Sequence, residues 1–227
     1  IEVYTPKSSS NSDNKRNDDY HEFPNPISNV VPQNSIISVV IPTFINSQKD
    51  KKDLLNLLHS LDKQILKPNK IIIIDDCSPI LFDFPKSVIV NRIKQNSGPA
   101  TARNIGKEIA LKNNSDIIAF TDTDCILSEN WIQSIKESFI ENKEFHILSG
   151  NTYSYDKNWF GTYHEISGTL NGRLIKNTEK LLYGTTANLA ITKDVAKSID
   201  FNESFPNAAS EDIEFCFKAN KKGFAIK

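Results

Sequence analysis

Residues 71–74 are four consecutive isoleucines, and two aspartates, Asp75 and Asp76, follow them directly. A strand with one face in water alternates apolar and polar side chains, so a run apolar at every position has to be covered on both faces. The same texture recurs in Ile36-Ile37-Ser38-Val39-Val40-Ile41, closed by Pro42, in the short run Ser87 to Val90, and in Asp116 to Thr121. Between these runs the apolar spacing becomes helical: Leu54, Leu57, Leu58, Leu61 and Ile65, then Ala102, Ile105 and Ile109 behind Pro99, then Trp131, Ile135 and Phe139. Fully apolar strands alternating with amphipathic helices predict an α/β fold, a mostly parallel sheet flanked by helices.

In such sheets ligands bind beyond the carboxyl ends of the strands. Two acidic pairs stand at those ends, Asp75-Asp76 after one run and Asp122/Asp124 of Asp122-Thr123-Asp124 after another. Side chains at i and i+2 of an extended chain point the same way, so Asp122 and Asp124 are expected to face one cation. Oxygen-seeking ions such as Mg²⁺ or Mn²⁺ use few carboxylates when a substrate phosphate completes the shell. A polar turn closing a strand is the plainer reading of either pair taken alone.

Composition narrows the partners. The formal charge of −1 over 227 residues gives no basic face for nucleic acid. No stretch reaches the roughly 18 apolar residues of a membrane span, so the expectation is a cytoplasmic protein, or one peripheral to a membrane. Cys77, Cys125 and Cys216 lack metal-site spacing and read as reduced thiols; His21, His59, His146 and His164 form no metal pair. The sequence begins at Ile1 without Met and stops at Lys227, which is read as a fragment or processed product, truncated at its C-terminus.

Residues 1–35 are rich in Ser, Asn, Asp, Lys and Pro. They are read as an extension or linker, or as an arm docking through Tyr20, Phe23, Val30 and Val31, with one domain over residues 36–227. Beyond Ser154 the alternation weakens. Trp159, Phe160 and Tyr163 are read as a local core, with stacking on a sugar as the competing role. Gly184 to Ile191 and Phe224 to Ile226 are expected as short strands, and Ser210 as the cap of a helix from Glu211 to about Asn220.

Six segments taken in order resemble the family 2 glycosyltransferases of GT-A fold: Val39-Val40-Ile41-Pro42-Thr43-Phe44, Ile74-Asp75-Asp76-Cys77-Ser78, Asn96 to Gly106, Asp122-Thr123-Asp124, Gly184 to Asn188, and Glu211-Asp212. The resemblance spans Ile36 to Lys227. It implies an inverting enzyme that moves a hexosyl or N-acetylhexosaminyl group from a nucleoside-diphosphate sugar to a glycan, lipid-linked or protein acceptor. On this resemblance Pro42, Thr43 and Phe44 contact the nucleotide, and Asp76 accepts the N3–H of a uracil or thymine ring, which favours a UDP-sugar. Gly98 lets backbone approach the nucleotide at a helix start with free N–H groups, and Arg103 reaches the pyrophosphate or braces Asp76. Asp124, with Asp122 and Thr123 alongside, anchors Mn²⁺ or Mg²⁺ on the diphosphate. Asp212 is the general base, with Glu211 positioning it or binding the acceptor.

The sequence departs from the family pattern in three places. Cys125 stands where a third acid is common, Phe217-Lys218 where an arginine is common, and no histidine follows downstream. Two other readings remain open at this stage: a silent nucleotide- or glycan-binding module of the same fold, and a phospho-acceptor signalling domain built on Ile71 to Asp76. A nucleotidyltransferase would carry a basic Gly-rich loop after Ile41, which is missing.

Overall fold

A computed structural model describes residues 23–155, 159–168, 170–205 and 210–227, without the side chains of residues 160, 161, 164 and 165. Tyr20 and His21 lie outside the described residues. In chain order the elements are β1 (Ile37–Thr43), α1 (Gln48–Asp62), β2 (Lys70–Asp75), β3 (Ile89–Arg92), α2 (Gly98–Lys112), β4 (Ile117–Phe120), α3 (Trp131–Glu141) and β5 (Phe145–Ser149). Then follow α4 (Trp159–Ser167), β6 (Arg173–Leu174), β7 (Leu181–Tyr183), β8 (Leu189–Thr192), α5 (Lys193–Ser198), α6 (Glu211–Lys221) and β9 (Ala225–Ile226).

Seven strands form one sheet in the order β3-β2-β1-β4-β8-β5-β9, and β6 pairs with β7 separately. Within the seven, β8 runs antiparallel to both its neighbours, while the other described pairings are parallel. The predicted α/β sheet is therefore what the chain forms. Burial on both faces is visible residue by residue. Val40, Ile72, Ile74, Ile118 and Phe120 pack into one core with α2, α5 and α6. Val39, Ile41, Ile73, Ile117 and Ala119 pack into a second core with α1 and α3.

β1 continues through Pro42 to Thr43, past the expected stop. β4 pairs with β1 only up to Val40, whose carbonyl accepts the Thr121 N–H at 3.4 Å. Pro42 points to the same side as Val40, where no ladder partner needs the N–H it lacks. Helix α1 ends at Asp62, so Ile65, expected on its buried face, is exposed. The capping box of Ser47 and Asp50 fixes its start.

Helix α2 lies unusually close to the sheet because position 106 is glycine: a Cβ there would sit 2.3 Å from Val40 Cγ1. Ile105 and Ile109, predicted to face inward, are half-buried, and the fully buried stripe is Ala102, Arg103, Gly106, Lys107 and Ala110. Two cations on the buried side are tolerable because each finds acceptors; Lys107 is bonded by Ile199 O at 2.7 Å and by Asp200.

Segment 23–35 packs on the domain. Asn29 Nδ2 donates to the carbonyl of Asn142 just past α3 at 3.2 Å, filling an acceptor left open at the helix end, and to that of Phe145 at the start of β5 at 2.5 Å. Val31 is buried and Phe23 meets Phe217 edge-on at 5.8 Å, but Val30 is exposed. In the second half Trp159 and Tyr163 are 80% and 58% exposed, so they do not form the predicted core. Gly184 to Ile191 is no continuous strand: a 3-10 turn at Thr186–Asn188 precedes β8.

Candidate active site

The carboxyl ends of β1, β2 and β4 lie along one edge of the sheet, and the start of the antiparallel β8 joins them there. Asp75 and Asp76 close β2. Their turn is held from several sides: Asp76 N donates to Thr43 O at 2.8 Å, and Ser78 N donates to Asp75 Oδ1 at 2.9 Å. Cys77 between them takes a left-handed φ of 59°. Thr43 is buried, Pro42 is half-buried and Phe44 is exposed at the same edge.

The Asp76 carboxylate faces the start of α2. Ser97 N donates to its Oδ1 and Gly98 N to its Oδ2, both at 2.8 Å. Gly98 adopts φ 84°, open to glycine at little cost, and that conformation turns its N–H toward Asp76. The free N–H groups expected at this helix start are therefore engaged by an internal anion. Each oxygen of Asp76 keeps a second lone pair.

Asp122-Thr123-Asp124 is a tight turn, with Cys125 N donating to Asp122 O at 3.1 Å, and it does not continue the strand. The extended i, i+2 geometry expected for the two acids is replaced by a turn that Asp favours at its first position. They still feel each other. Asp124 is solvent-exposed, yet partial desolvation and then the Asp122 charge hold its carboxyl above the usual carboxylate range.

Arg103 organises the centre. It is 3% exposed, and it donates through Nη1 to Glu211 Oε1 and through Nη2 to Asp122 Oδ1, both at 2.8 Å. The expected brace onto Asp76 is not made, because the side chain runs from the buried face of α2 toward the Asp122–Asp124 turn and α6. Its guanidinium also lies 5.9 Å from the Phe201 ring centroid.

Glu211 and Asp212 open α6, but Ser210 does not cap it. Ser210 sits at φ 68° and ψ 10°, outside the extended region a capping side chain needs, and it contributes its carbonyl to Glu214 N at 3.0 Å. Glu211 is buried against Arg103, so it is no plain first-turn acid. Asp212 is half-buried; desolvation first, and the Glu211 charge second, push its carboxyl above the usual range. Backbone N–H groups of Ile213 and Thr186 pull the other way, and the second of these comes from the Gly184 to Asn188 loop. Lys218, standing where an arginine was expected, pairs with Glu214 at 2.8 Å.

The sequence reading missed the polar work done by Asp75, Arg92 and Asn188. Arg92 bonds Asp75 and also donates to Ser78 O at 2.8 Å. Asn188 accepts from Trp131 Nε1 at 2.8 Å and abuts Gly150, where a Cβ would lie 2.4 Å from its Nδ2. A basic residue ending β3 was the one signal that pointed at the first of these.

Residues 38–199 match the glycosyl transferase family 2 profile, more than half of the sequence. The chain belongs to glycosyl transferase family 2. Glu211 and Asp212 lie beyond the matched span. No curated protein gives a significant match. Among solved structures, S. aureus TarS 1-349 in complex with UDP aligns with a TM-score of 0.59 at 20% identity, covering 84% of this chain and 57% of that one. The same protein in complex with UDP-GlcNAc aligns equally well, over 55% of its length. The mannosyltransferase PcManGT from Pyrobaculum calidifontis, in complex with GDP-Man and Mn²⁺, gives 0.60 at 13% identity, covering 88% of this chain and 57% of that one. These likenesses establish the GT-A fold; the chain spans little more than half the length of either.

Among the described residues no three His, Cys, Asp or Glu side chains come together as a metal cluster. The pair Asp122 and Asp124 nonetheless suits a hard cation. Partial desolvation first, and the Asp122 charge second, raise Asp124; Arg103 takes Asp122 Oδ1, and the remaining oxygens of the pair are of the kind a diphosphate-bound ion accepts. No helix among the described residues is long and apolar enough to cross a membrane.

Proposed function

We propose that this protein transfers a sugar from a nucleoside-diphosphate sugar, UDP-linked, to an acceptor hydroxyl with inversion at the anomeric carbon. The observation that carries the reading is the Arg103 fork. One buried guanidinium ties the turn of Asp122 to the helix of Glu211 and Asp212, so a diphosphate-side acid and a base-side acid share a single support.

The roles follow from the surroundings of each group. Asp76, buried but with a second lone pair on each oxygen, would accept a ring N–H of the donor base, for which uracil or thymine is suited. Its orientation is fixed by the Ser97 and Gly98 N–H groups. Asp124, with Asp122, would hold Mn²⁺ or Mg²⁺; the ion supplies Lewis-acid neutralisation of the departing diphosphate. Asp212 takes the proton from the attacking hydroxyl. Its raised proton affinity suits a general base, which works best when its pKa approaches the operating pH. Glu211 raises that affinity electrostatically while its own charge is compensated by Arg103.

TarS with UDP-GlcNAc and PcManGT with GDP-Man and Mn²⁺ support nucleotide-sugar chemistry on this fold with more than one base. An acceptor that is a glycan, a lipid-linked sugar or a protein hydroxyl fits the same base. Family membership leaves the phospho-acceptor reading without support. A thermal-shift screen of UDP-, dTDP- and GDP-sugars with and without Mn²⁺ tests the proposal: a Mn²⁺-dependent rise with a UDP-sugar supports it, and no shift with any donor contradicts it.

A further inference from the structure

Arg92 ends β3 directly opposite Asp75 on β2 in the parallel register. Its fork holds both ends of one turn: Nη1 pairs with the buried Asp75 carboxylate, and Nη2 donates to Ser78 O at 2.8 Å. Asp75 also accepts Ser78 N at 2.9 Å, and Ser78 Oγ accepts Ile45 N at 2.8 Å. The residues spanned by this clamp are Asp76, whose carboxylate sits at the proposed base pocket, and Cys77, held at φ 59° where a non-glycine residue is strained. Ile45 belongs to the loop following Thr43 and Phe44, so the clamp also ties that loop to the Asp75–Ser78 turn. Among the described residues the Arg92 guanidinium bonds Asp75 and Ser78, and not Asp122, Glu211 or Asp212.

We infer that Arg92 is a positioning residue for donor-base recognition, acting through Asp75 and the Asp75–Ser78 turn to set the Asp76 carboxylate. The inference rests on the proposed donor reading. A planar guanidinium can bond a carboxylate and a carbonyl at once, whereas an ammonium is a point charge without that fork. R92K therefore keeps the charge beside Asp75 but loosens the Ser78 end, and R92Q loses the charge as well.

Calorimetric titration of UDP, and separately of inorganic pyrophosphate, each with Mn²⁺, tests this on wild type, R92K and R92Q, alongside thermal unfolding of each. The expected result is UDP affinity weakened about tenfold in R92Q and by less in R92K, with pyrophosphate affinity within twofold of wild type. Equal weakening of UDP and pyrophosphate, or UDP affinity unchanged, would overturn the inference, since a merely structural brace makes no distinction between the two probes. Should R92Q not fold, R92K carries the same comparison. Wild-type protein that binds none of UDP, dTDP and GDP overturns the donor reading and this inference with it; wild-type UDP binding that R92Q leaves intact overturns this inference alone.

Discussion

Removing the Arg103 guanidinium strands two acids of unequal burial. Glu211 is 5% exposed at its side chain and Asp122 is 36% exposed, so nearly all of the penalty falls on Glu211. Breaking a buried ion pair by deleting one partner costs roughly 3–5 kcal/mol, because the survivor is left charged and desolvated. The half-exposed Asp122 adds little, as water reaches it. The contact with the buried Phe201 ring, at 5.9 Å near the outer limit of such interactions, adds about 2 kcal/mol at most. R103M, which keeps the aliphatic length, is therefore expected to lose about 3–5 kcal/mol, or roughly 10 °C of melting temperature for a chain of this size. The decisive variant is R103M/E211Q. With the stranded charge gone, the double variant recovers about 2 kcal/mol relative to the sum of the single changes, measured by urea unfolding in a double-mutant cycle. R103K retains charge but not the fork, and falls between. Additivity of R103M and E211Q to within about 0.5 kcal/mol would refute the reasoning, since it would mean that Glu211 does not depend on Arg103.

Two further outcomes follow from the raised acids. The rate must fall as Asp212 protonates, so the acidic limb of the pH–rate profile lies above the pH of an ordinary carboxylate. In E211Q the limb moves to lower pH because the Glu211 charge that raises Asp212 is gone; an unmoved limb argues against the Glu211–Asp212 coupling. Mn²⁺ must displace the extra proton affinity of Asp124, so Mn²⁺ binding weakens as pH falls through the raised Asp124 value, and D124N abolishes both the binding and its pH dependence in calorimetry. Binding of Mn²⁺ by D124N as tight as wild type would remove Asp124 from the metal role.

The sheet was legible because complete burial leaves a compositional mark. Ile71 to Ile74 and Ile117 to Phe120 are short, largely β-branched and closed by acidic turns, which marks strands covered on both faces, and their alternate residues do divide between the two cores. The acidic strand ends were legible for the same reason, since strand termini in such sheets are marked by the loss of apolar residues. What local pattern could not carry was partner choice. Arg103 looks like a surface residue of an amphipathic helix, and only the tertiary meeting of α2, the turn after β4 and the start of α6 buries it between Asp122 and Glu211. Ser210 has the composition of a cap but the backbone of a left-handed turn, a distinction set by the residues that fold around it. The N–H groups at the start of α2 were expected to be free and are already bonded by the Asp76 carboxylate, a contact between residues 21 and 22 positions apart in sequence. The exposed Trp159 and Tyr163 were misassigned because aromatic content alone does not say which side of a helix faces protein.

The central claim is that this site turns over a nucleotide sugar with Asp212 as the base. The direct measurement is steady-state turnover of a UDP-sugar panel with Mn²⁺ by wild type and by D212N, with UDP affinity determined for both in the same preparation. Wild type is expected to turn over a UDP-sugar, and D212N to be slower by at least about hundredfold with UDP affinity preserved. Wild-type protein that binds UDP without any turnover, or D212N turning over as fast as wild type, would contradict it.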